Sequence, residues 1–280
     1  MDDLEEAYSL LIDAVPIDGH EKTQLYVSQY AAAAIAARVS NWASRHEEAR
    51  FWAEKALEGK FSFSRESEVK TLFMGYTALK ECIWGIHAPM MYLDVRNRCY
   101  PSRLTSNFNM VRDQYKKIFK VSEFTAINND YRYQAYFTTT RWTHSVTCLT
   151  KFFDPYYDDE QVVPEGRIPG VNLIRISEMY YILAESVYGT DKEKALEYLN
   201  EVVTARGLLP LELQDIDTDE EFRSELVNEM VKEFWGEGQI FFTYKRFNLD
   251  MQGVNGKFHS ASDKVYILPL PENEKSEGAN

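Results

Sequence analysis

Residues 174–207 read IRISEMYYILAESVYGTDKEKALEYLNEVVTARG. Apolar side chains recur at helical spacing in the first half of this stretch, at Ile176, Met179, Tyr180, Leu183, Ala184 and Val187. Gly189-Thr190-Asp191 interrupts the pattern, and a second stripe follows at Ala195, Leu196, Leu199, Val202 and Val203. Gly207 stands where a left-handed residue would end the second helix. The stretch therefore predicts two antiparallel helices, Ile176–Tyr188 and Lys192–Arg206.

Small residues in this hairpin indicate that its two helices approach closely. Leu183, Ala184, Ala195 and Leu199 are placed to form the seam. This is the packing typical of tetratricopeptide hairpins, in which large residues fill the outer positions.

A second hairpin is predicted near the start of the chain. Ser28 precedes QYAAAAIAARVSNWASRHEEARFWAEKALEG (residues 29–59), whose second arm carries Ala49, Ala53 and Ala56 and ends at Gly59. Before it, Asp2 or Asp3 can cap a first helix with an apolar face at Leu4, Ala7, Tyr8 and Leu11. The two hairpins lie too far apart in the chain for a simple tandem array.

Residues 61–171, which separate the hairpins, differ in character. They mix short helical patches with Gly, Pro, Asn and Thr, and they are rich in Tyr and Trp. A long irregular segment inside a compact protein is usually functional or disordered, and aromatic richness argues against disorder. Further on, Thr218 and Glu221 form a capping box for a long helix with apolar side chains at Phe222, Leu226, Met230 and Phe234.

Four motifs in the C-terminal part together resemble the SusD/RagB family of surface nutrient-binding lipoproteins. The first comprises Arg175, Glu178, Tyr181, Ala184 and Glu185; the second comprises Asn200, Val202, Val203, Arg206 and Gly207. The third comprises Glu229, Glu233, Glu237, Gly238, Phe241, Phe242, Lys245 and Arg246. The fourth is a closing strand with prolines, Val265–Glu274. The segment NNDYR (Asn128–Arg132) also resembles a D-x-R segment of the family, which we interpret as structural.

The chain departs from the family pattern at Gln239, where Arg is common, and at Thr243, where Asp is usual. These changes affect the expected local salt bridges and leave the expected fold unchanged. The resemblance implies an all-α, SusD-like fold of tetratricopeptide-like hairpins with a long loop-rich insertion. We expect one domain over 1–280: hairpins in 1–60, the insertion and possible ligand face in 61–171, a hairpin and long helix in 172–250, and a tail in 251–280.

The composition restricts the class of partner. A net charge of −13 argues against nucleic acid, because phosphate binding requires a basic face. Cys82, Cys99 and Cys148 form no disulfide framework, since three thiols cannot all pair with one another. No stretch approaches the roughly 18 apolar residues of a membrane span, and MDDLEEAY is a helix start and not a signal peptide. We therefore expect a truncated or split version, without the family's signal peptide, lipid-bearing cysteine and N-terminal helical part.

Aromatic side chains supply the candidate ligand contacts, since a Trp ring can stack on the C–H face of a sugar. Trp142, with Arg141 alongside, is the preferred candidate, followed by Trp84 and Tyr156. For Trp84 a core position and a sugar-stacking position both remain open. Trp42, Trp52 and Trp235 lie within predicted helices and are interpreted as core.

No motif favours catalysis. The five His residues have no metal-ligand spacing, there is neither a G-x-S-x-G elbow nor a phosphate loop, and we expect no metal and no cofactor. Glu225, Glu229, Glu233 and Glu237 recur at intervals of four; we interpret them as a solvated helix face with Lys232 and Arg223 as counter-charges, and not as a glycosidase pair. Asp158-Asp159-Glu160 is interpreted as a solvated turn.

The resemblance implies non-catalytic capture of an oligosaccharide at the bacterial outer membrane by a surface-exposed lipoprotein. It also implies a partner, a TonB-dependent transporter that receives the sugar. The alternative is a tetratricopeptide-like scaffold for a peptide or protein partner. Exposed aromatics on the insertion would favour sugar, whereas a concave groove between helices would favour peptide.

Overall fold

The computed structural model describes residues 1–12, 23–69, 80–88, 95, 98, 109–110, 116–120, 129–141, 145–152, 170–216, 218–253 and 257–269. Two compact units are distinguished, Met1–Glu233 and Phe234–Asn280. In the described part helices predominate, which confirms the predicted helical class. The division into one domain with four segments stays a prediction. No helix in these ranges combines the length and apolar character needed to cross a bilayer.

The first unit opens with three helices, α1 (Asp2–Ile12), α2 (Gln29–Trp42) and α3 (His46–Leu57). Ser28 caps α2, because its hydroxyl accepts a hydrogen bond from the Ala31 amide at 3.2 Å. Ala49, Ala53 and Ala56 of α3 are fully buried, as the spacing predicts. The predicted N-terminal hairpin is therefore confirmed.

The C-terminal hairpin of this unit consists of α6 (Ile176–Val187) and α7 (Lys192–Ala205). Its four predicted seam residues, Leu183, Ala184, Ala195 and Leu199, are all buried. Gly207 has a φ of 84°, the left-handed conformation expected of a residue that ends a helix. Helix α6 also packs on α3, so the two hairpins share one core.

Helix α8 (Asp219–Phe234) follows, with the predicted capping box in place. The Thr218 hydroxyl accepts from the Glu221 amide at 3.1 Å, and the Glu221 carboxylate accepts from the Thr218 amide at 2.9 Å. The four predicted apolar positions of this helix are buried.

Between the hairpins lie short elements, including α4 (Glu66–Val69) and α5 (Tyr131–Ala135). Strand β1 (Cys82–His87) pairs antiparallel with β5 (Gly170–Arg175), which leads directly into α6. A second sheet has the order β2 (Asn109–Met110), β4 (Ser145–Leu149), β3 (Phe137–Arg141). Sequence periodicity did not predict these strands, because each is too short to show a clear alternation.

The second unit contains α9 (Ile240–Phe247), the hairpin β6 (Met251–Gln252) and β7 (Phe258–His259), and α10 (Asp263–Tyr266). The described part of this unit thus includes a small β-hairpin. The prediction of a closing strand is wrong at Val265 and Tyr266, because the amides of both residues donate to the Ser262 carbonyl and form a helical turn. At Thr243, where the family usually has Asp, the hydroxyl donates to the Gln239 carbonyl at 3.2 Å.

The tryptophans follow the prediction only in part. Trp52 is buried, as expected of a core residue, whereas Trp42 is 45% exposed and the core prediction for it is wrong. Trp42 is the last residue of α2, where a ring can extend past the end of the neighbouring helix. Trp235 is half-buried. Cys82 and Cys148 are free and buried, and Cys99 lies outside the described residues.

Candidate functional site

The β3–β4 hairpin includes one of the four predicted ligand-binding residues and leads directly into the preferred one. Arg141 is the last residue of β3 and pairs in register with Ser145, the first residue of β4. The preferred candidate, Trp142, belongs to the three-residue connection between these strands, and that connection lies outside the described residues. Tyr156 and the run 158–160 also lie outside them.

Trp84 lies in the other sheet, on β1, where it pairs with Ile174 across an irregularity in the register. Its side chain is half-buried and packs against the core formed by α2, α3 and α6. Trp84 and Arg141 are therefore held by different sheets, and the described contacts do not bring them together.

The base of the hairpin is anchored in the interior of the first unit. Tyr136 and Phe137 precede and begin β3, Thr150 and Lys151 follow β4, and all four are buried. The Thr150 amide donates to the Tyr136 carbonyl at 2.8 Å. The Lys151 ammonium lies 4.4 Å from the centroid of the Tyr136 ring and donates to the Glu233 carbonyl at 2.5 Å. Both strand ends are thus fixed next to Glu233.

Glu233 is the centre of a buried ionic network to which three arginines contribute. Its carboxylate lies 3.2 Å from Arg132 Nη1, 2.5 Å from Arg175 Nη1 and 2.7 Å from Arg206 Nη2. All four side chains are fully shielded from water. Arg132 is on α5, Arg175 ends β5, Arg206 follows α7 and Glu233 is on α8, so the network joins four elements.

Further acids complete this network. The Glu81 carboxylate accepts from both Nη atoms of Arg206, at 3.0 and 2.8 Å, and from the Ser64 amide at 2.7 Å. Asp130 and Glu229 both pair with Arg132, at 2.8 and 2.7 Å. Lys232 Nζ lies 2.5 Å from Glu229. Each buried charge therefore has at least one partner of opposite sign, which burial requires.

The acids at the centre of the network are ionised. Burial alone would raise the pKa of Glu233, but Arg206 and Arg175 outweigh it and hold that pKa well below its ordinary value. The pKa of Glu229 is lowered in the same way, since Arg132 and Lys232 outweigh the effect of burial. These carboxylates act as fixed charges in the fold.

The solvated-face interpretation is therefore wrong for Glu229 and Glu233, both of which are buried. Lys232 serves as a counter-charge for Glu229, as predicted, and Arg223 lies on the exposed side of the helix. Their burial depends on arginines that lie far away in the sequence, so helix periodicity could not reveal it. The signal that could have revealed it is the set of charged motif residues, Arg175, Arg206, Glu229 and Glu233, which meet at one point.

Other motif residues have structural partners too. Glu178 forms a two-bond pair with Arg38 of α2, at 2.6 Å for both contacts. Asp130 caps α5 by accepting from the Arg132 amide, which confirms the structural interpretation of the NNDYR segment. The Tyr131 amide donates to the Arg206 carbonyl at 2.9 Å, so the chain before the hairpin lies directly against the end of α7.

The network cannot perform acid–base catalysis on a bound sugar, because its carboxylates are inaccessible and each is neutralised by cations. Within the described ranges no group of three or more His, Cys, Asp or Glu side chains is arranged to hold a metal. The role of the network is structural. It fixes α5 and both ends of the β3–β4 hairpin against the helical core.

Comparison with known proteins adds a family match. Residues 125–279 match the model of the SusD family. No curated protein matches the chain in sequence.

Three solved structures of similar fold come from Bacteroides. A SusD-like carbohydrate binding protein from Bacteroides vulgatus is 20% identical, with a TM-score of 0.71 over 98% of this chain and 62% of that chain. A SusD superfamily protein from Bacteroides thetaiotaomicron is 20% identical, with a TM-score of 0.73 and the same coverage. Surface glycan-binding protein A from Bacteroides thetaiotaomicron is 17% identical, with a TM-score of 0.68 over 99% of this chain and 67% of that chain. The likeness confirms the tetratricopeptide-like helical fold, and the chain spans about 62% of the length of the first two relatives.

Proposed function

The chain belongs to the SusD family, and on that premise we propose that it binds carbohydrate without cleaving it. The observation that carries this proposal is the family match over more than half of the chain. Two structures of similar fold are named as a carbohydrate binding protein and a surface glycan-binding protein, which supports the same class of ligand.

In more detail, the ligand is an oligosaccharide captured at the bacterial outer surface and passed to a TonB-dependent transporter. In its full-length form the protein is a surface-exposed lipoprotein of the outer membrane. These details follow from the family resemblance, and the transporter is the partner to test first by co-purification from the native membrane.

The proposed contact surface is the tip of the β3–β4 hairpin, with Trp142 as a stacking ring and Arg141 as a donor to hydroxyl groups. Two strands of five residues, each roughly 15 Å long, separate Arg141 and Ser145 from the anchored base. The base is held by Tyr136, Lys151 and the ionic network, so a ligand at the tip would meet a supported platform. Trp84 and Tyr156 are the second and third proposed contacts.

The test begins with a screen of neutral oligosaccharides against the intact gene product, followed by titration of the strongest binder. Open-surface sugar binding desolvates few atoms, so a dissociation constant between about micromolar and millimolar is expected, roughly −8 to −4 kcal/mol. Trp142→Ala should weaken binding about two- to tenfold, since one stacking ring contributes roughly 0.5–1.5 kcal/mol. Binding of a neutral sugar should change little with salt, because no ion pairs are formed.

Trp42→Ala is the matched control, since Trp42 is an exposed Trp on α2 and not on the hairpin. Circular dichroism should show that both variants remain folded. If Trp142→Ala and Trp42→Ala bind as tightly as the parent, the hairpin tip is not the site. Loss of binding in the Trp42 variant alone would move the site to the end of α2.

The absence of catalysis is tested on the same ligand. Prolonged incubation followed by chromatography should show no shortened product. Product that disappears in a Glu225→Gln variant would contradict the proposal, since Glu225 is a partly accessible acid of α8 that pairs with Lys120 and not with the network. Glu229 and Glu233 are unsuitable for this purpose, because replacing either would disturb the fold.

A further inference from the structure

A cleft separates α1 from α3 on the N-terminal face of the first unit. It is a shallow cleft, largely open to solvent, with a volume of about 510 Å³; its lining residues are Glu5 and Ser9 from α1 and Glu47, Glu48, Phe51 and Trp52 from α3. This volume falls in the range of about 300–1,000 Å³ that is typical of ligand sites. None of these residues is among the ligand-binding residues predicted from the sequence.

The floor of the cleft is aromatic and held in place. The Trp52 ring is buried and makes an edge contact with Tyr8 of α1 at 5.1 Å between centroids. Phe51 makes a similar contact with Trp52 at 5.0 Å, yet its own side chain is 51% exposed. An apolar ring is thus offered to a ligand from a floor that packing already holds in place.

The walls of the cleft are acidic. Glu48 is paired with Arg45 at 3.1 Å. Glu5 and Glu47 have no ion-pair partner within the part of the chain that the structure describes. Helix α1, with the sequence DDLEEAYSLLI, carries no Lys or Arg at all. The lining residues therefore include three carboxylates and no Lys or Arg, and Arg45 pairs with only one of the three, which produces a negative potential above the aromatic floor.

We propose that this cleft docks a basic, amphipathic segment of a partner protein. A Lys or Arg side chain has an apolar stem that would lie on Phe51, with its charged head within reach of Glu5 and Glu47. An aromatic face also attracts a cation directly. Charge complementarity favours this occupant. A cation relieves the repulsion between the carboxylates, whereas a neutral ligand leaves that repulsion uncompensated. The cleft is separate from the hairpin proposed for sugar, so either proposal can fail without the other.

The probe is an acetylated and amidated hexapeptide of alternating lysine and leucine, with the glutamate–leucine hexapeptide as its counterpart. Binding is measured by calorimetry in the intact chain. The lysine peptide should bind at least tenfold more tightly than the glutamate peptide. Raising the salt concentration from 50 to 500 mM should weaken its binding severalfold, because exposed charge pairs are screened.

Variants locate the binding. Glu5→Gln combined with Glu47→Gln should weaken the lysine peptide about tenfold, and Phe51→Ala should weaken it severalfold. The control is Glu54→Gln combined with Glu58→Gln. It also removes two negative charges from α3 and its end, at exposed positions that pair with Arg50 and Lys55. That control should bind within about twofold of the parent, which separates docking in the cleft from general attraction to an acidic protein.

Three outcomes would overturn the proposal. The first is that the lysine peptide does not bind, or binds no better than the glutamate peptide. The second is that the cleft variant and the charge-matched control lose affinity equally. The third is that a neutral oligosaccharide binds in a manner that depends on Phe51 and not on salt, which would make the cleft a sugar site.

Discussion

The alanine seams of the helical hairpins and the ionic network around Glu233 are equally shielded from water. Apolar packing stabilises the seams, whereas ion pairs stabilise the network. Ala37, Ala53, Ala184 and Ala195 are fully buried, as are Glu233 and its three arginines. In the seams stability comes from apolar area and close packing, which have no direction. In the network each charge is stable only while its partners are in place.

This difference determines how each region responds to change. A seam loses or gains stability in proportion to the volume disturbed, and its neighbours adjust. Removing one member of a network of buried charges destabilises the whole network, because the remaining charges are left unpaired in a medium of low dielectric constant.

Glu233→Ala should lower the free energy of unfolding by about 3–5 kcal/mol, since it leaves three buried arginines without their shared partner. Urea denaturation measures this. Glu197→Ala is the control, because Glu197 is 66% exposed and pairs only with Lys194 among the described residues; it should cost less than about 1 kcal/mol. Equal, small losses of stability in the two variants would show that Glu233 does not pair with the three arginines as described.

Gly207→Ala should cost about 2–5 kcal/mol. The backbone there is left-handed, which costs an L-residue about 1–2 kcal/mol. A Cβ would also lie 2.4 Å from the Tyr131 ring and 2.6 Å from the Asn129 carbonyl oxygen, and such overpacking costs about 1–3 kcal/mol. The substitution therefore disturbs the network through the segment that carries Arg132.

Two glycines serve as controls for this variant. Gly238 has a φ of +78°, but no atom lies within 4 Å of the position that a Cβ would take, so Gly238→Ala should show the backbone strain alone. Gly189 has neither feature, and Gly189→Ala should be nearly neutral. Equal losses at Gly207 and Gly238 would mean that Tyr131 and Asn129 move aside without cost.

Ala184→Trp should lower stability by about 1–3 kcal/mol or more, because the seam between α6 and α7 has no room for an indole. Ala43→Trp is the control, since Ala43 is exposed at the end of α2. Thermal unfolding of both variants measures the difference. An unchanged melting temperature for Ala184→Trp would show that the hairpin does not pack through this residue.

Acid should destabilise the network and leave the seams unaffected. The pKa values of Glu229 and Glu233 are lower in the folded chain than in the unfolded chain, where Glu titrates near 4.3. Their stabilising effect is therefore complete above about pH 5 and is lost as the pH falls through the folded values, by up to about 1.4 kcal/mol per pH unit for each group. Glu233→Gln should reduce this slope, whereas Ala184→Ser should leave it unchanged. A slope that Glu233→Gln leaves intact would assign acid sensitivity to other carboxylates.

The helical hairpins could be predicted because their signals are local. Helical spacing, the cap at Ser28, the capping box at Thr218 and Gly207 each involve residues within a few positions of one another. The aromatic count of the chain, by contrast, gave no guide to burial at a given position. Trp42 and Trp52 both lie in helices, yet only Trp52 belongs to the core, where Tyr8 of α1 packs against it.

The candidate sites depend on contacts between distant parts of the chain, which local sequence signals do not report. The motif residues marked the family, but Trp84 turned out to pack against the core and Trp142 lies outside the described residues. The acidic cleft has no sequence signature, because its two walls come from helices separated by α2. Its aromatic floor is visible only once α1 and α3 are placed side by side.

The two helical hairpins, their caps and the family can be read from the sequence alone, since each of these depends on short-range spacing or on the order of motifs. Tertiary contacts, by contrast, place Glu229 and Glu233 in the interior instead of on a solvated face. Their arginine partner Arg132 lies 97 and 101 positions away, and Glu81 meets Arg206 across 125 positions. An ion pair forms wherever the fold brings opposite charges within about 4 Å, and spacing along a single helix contains no information about that distance.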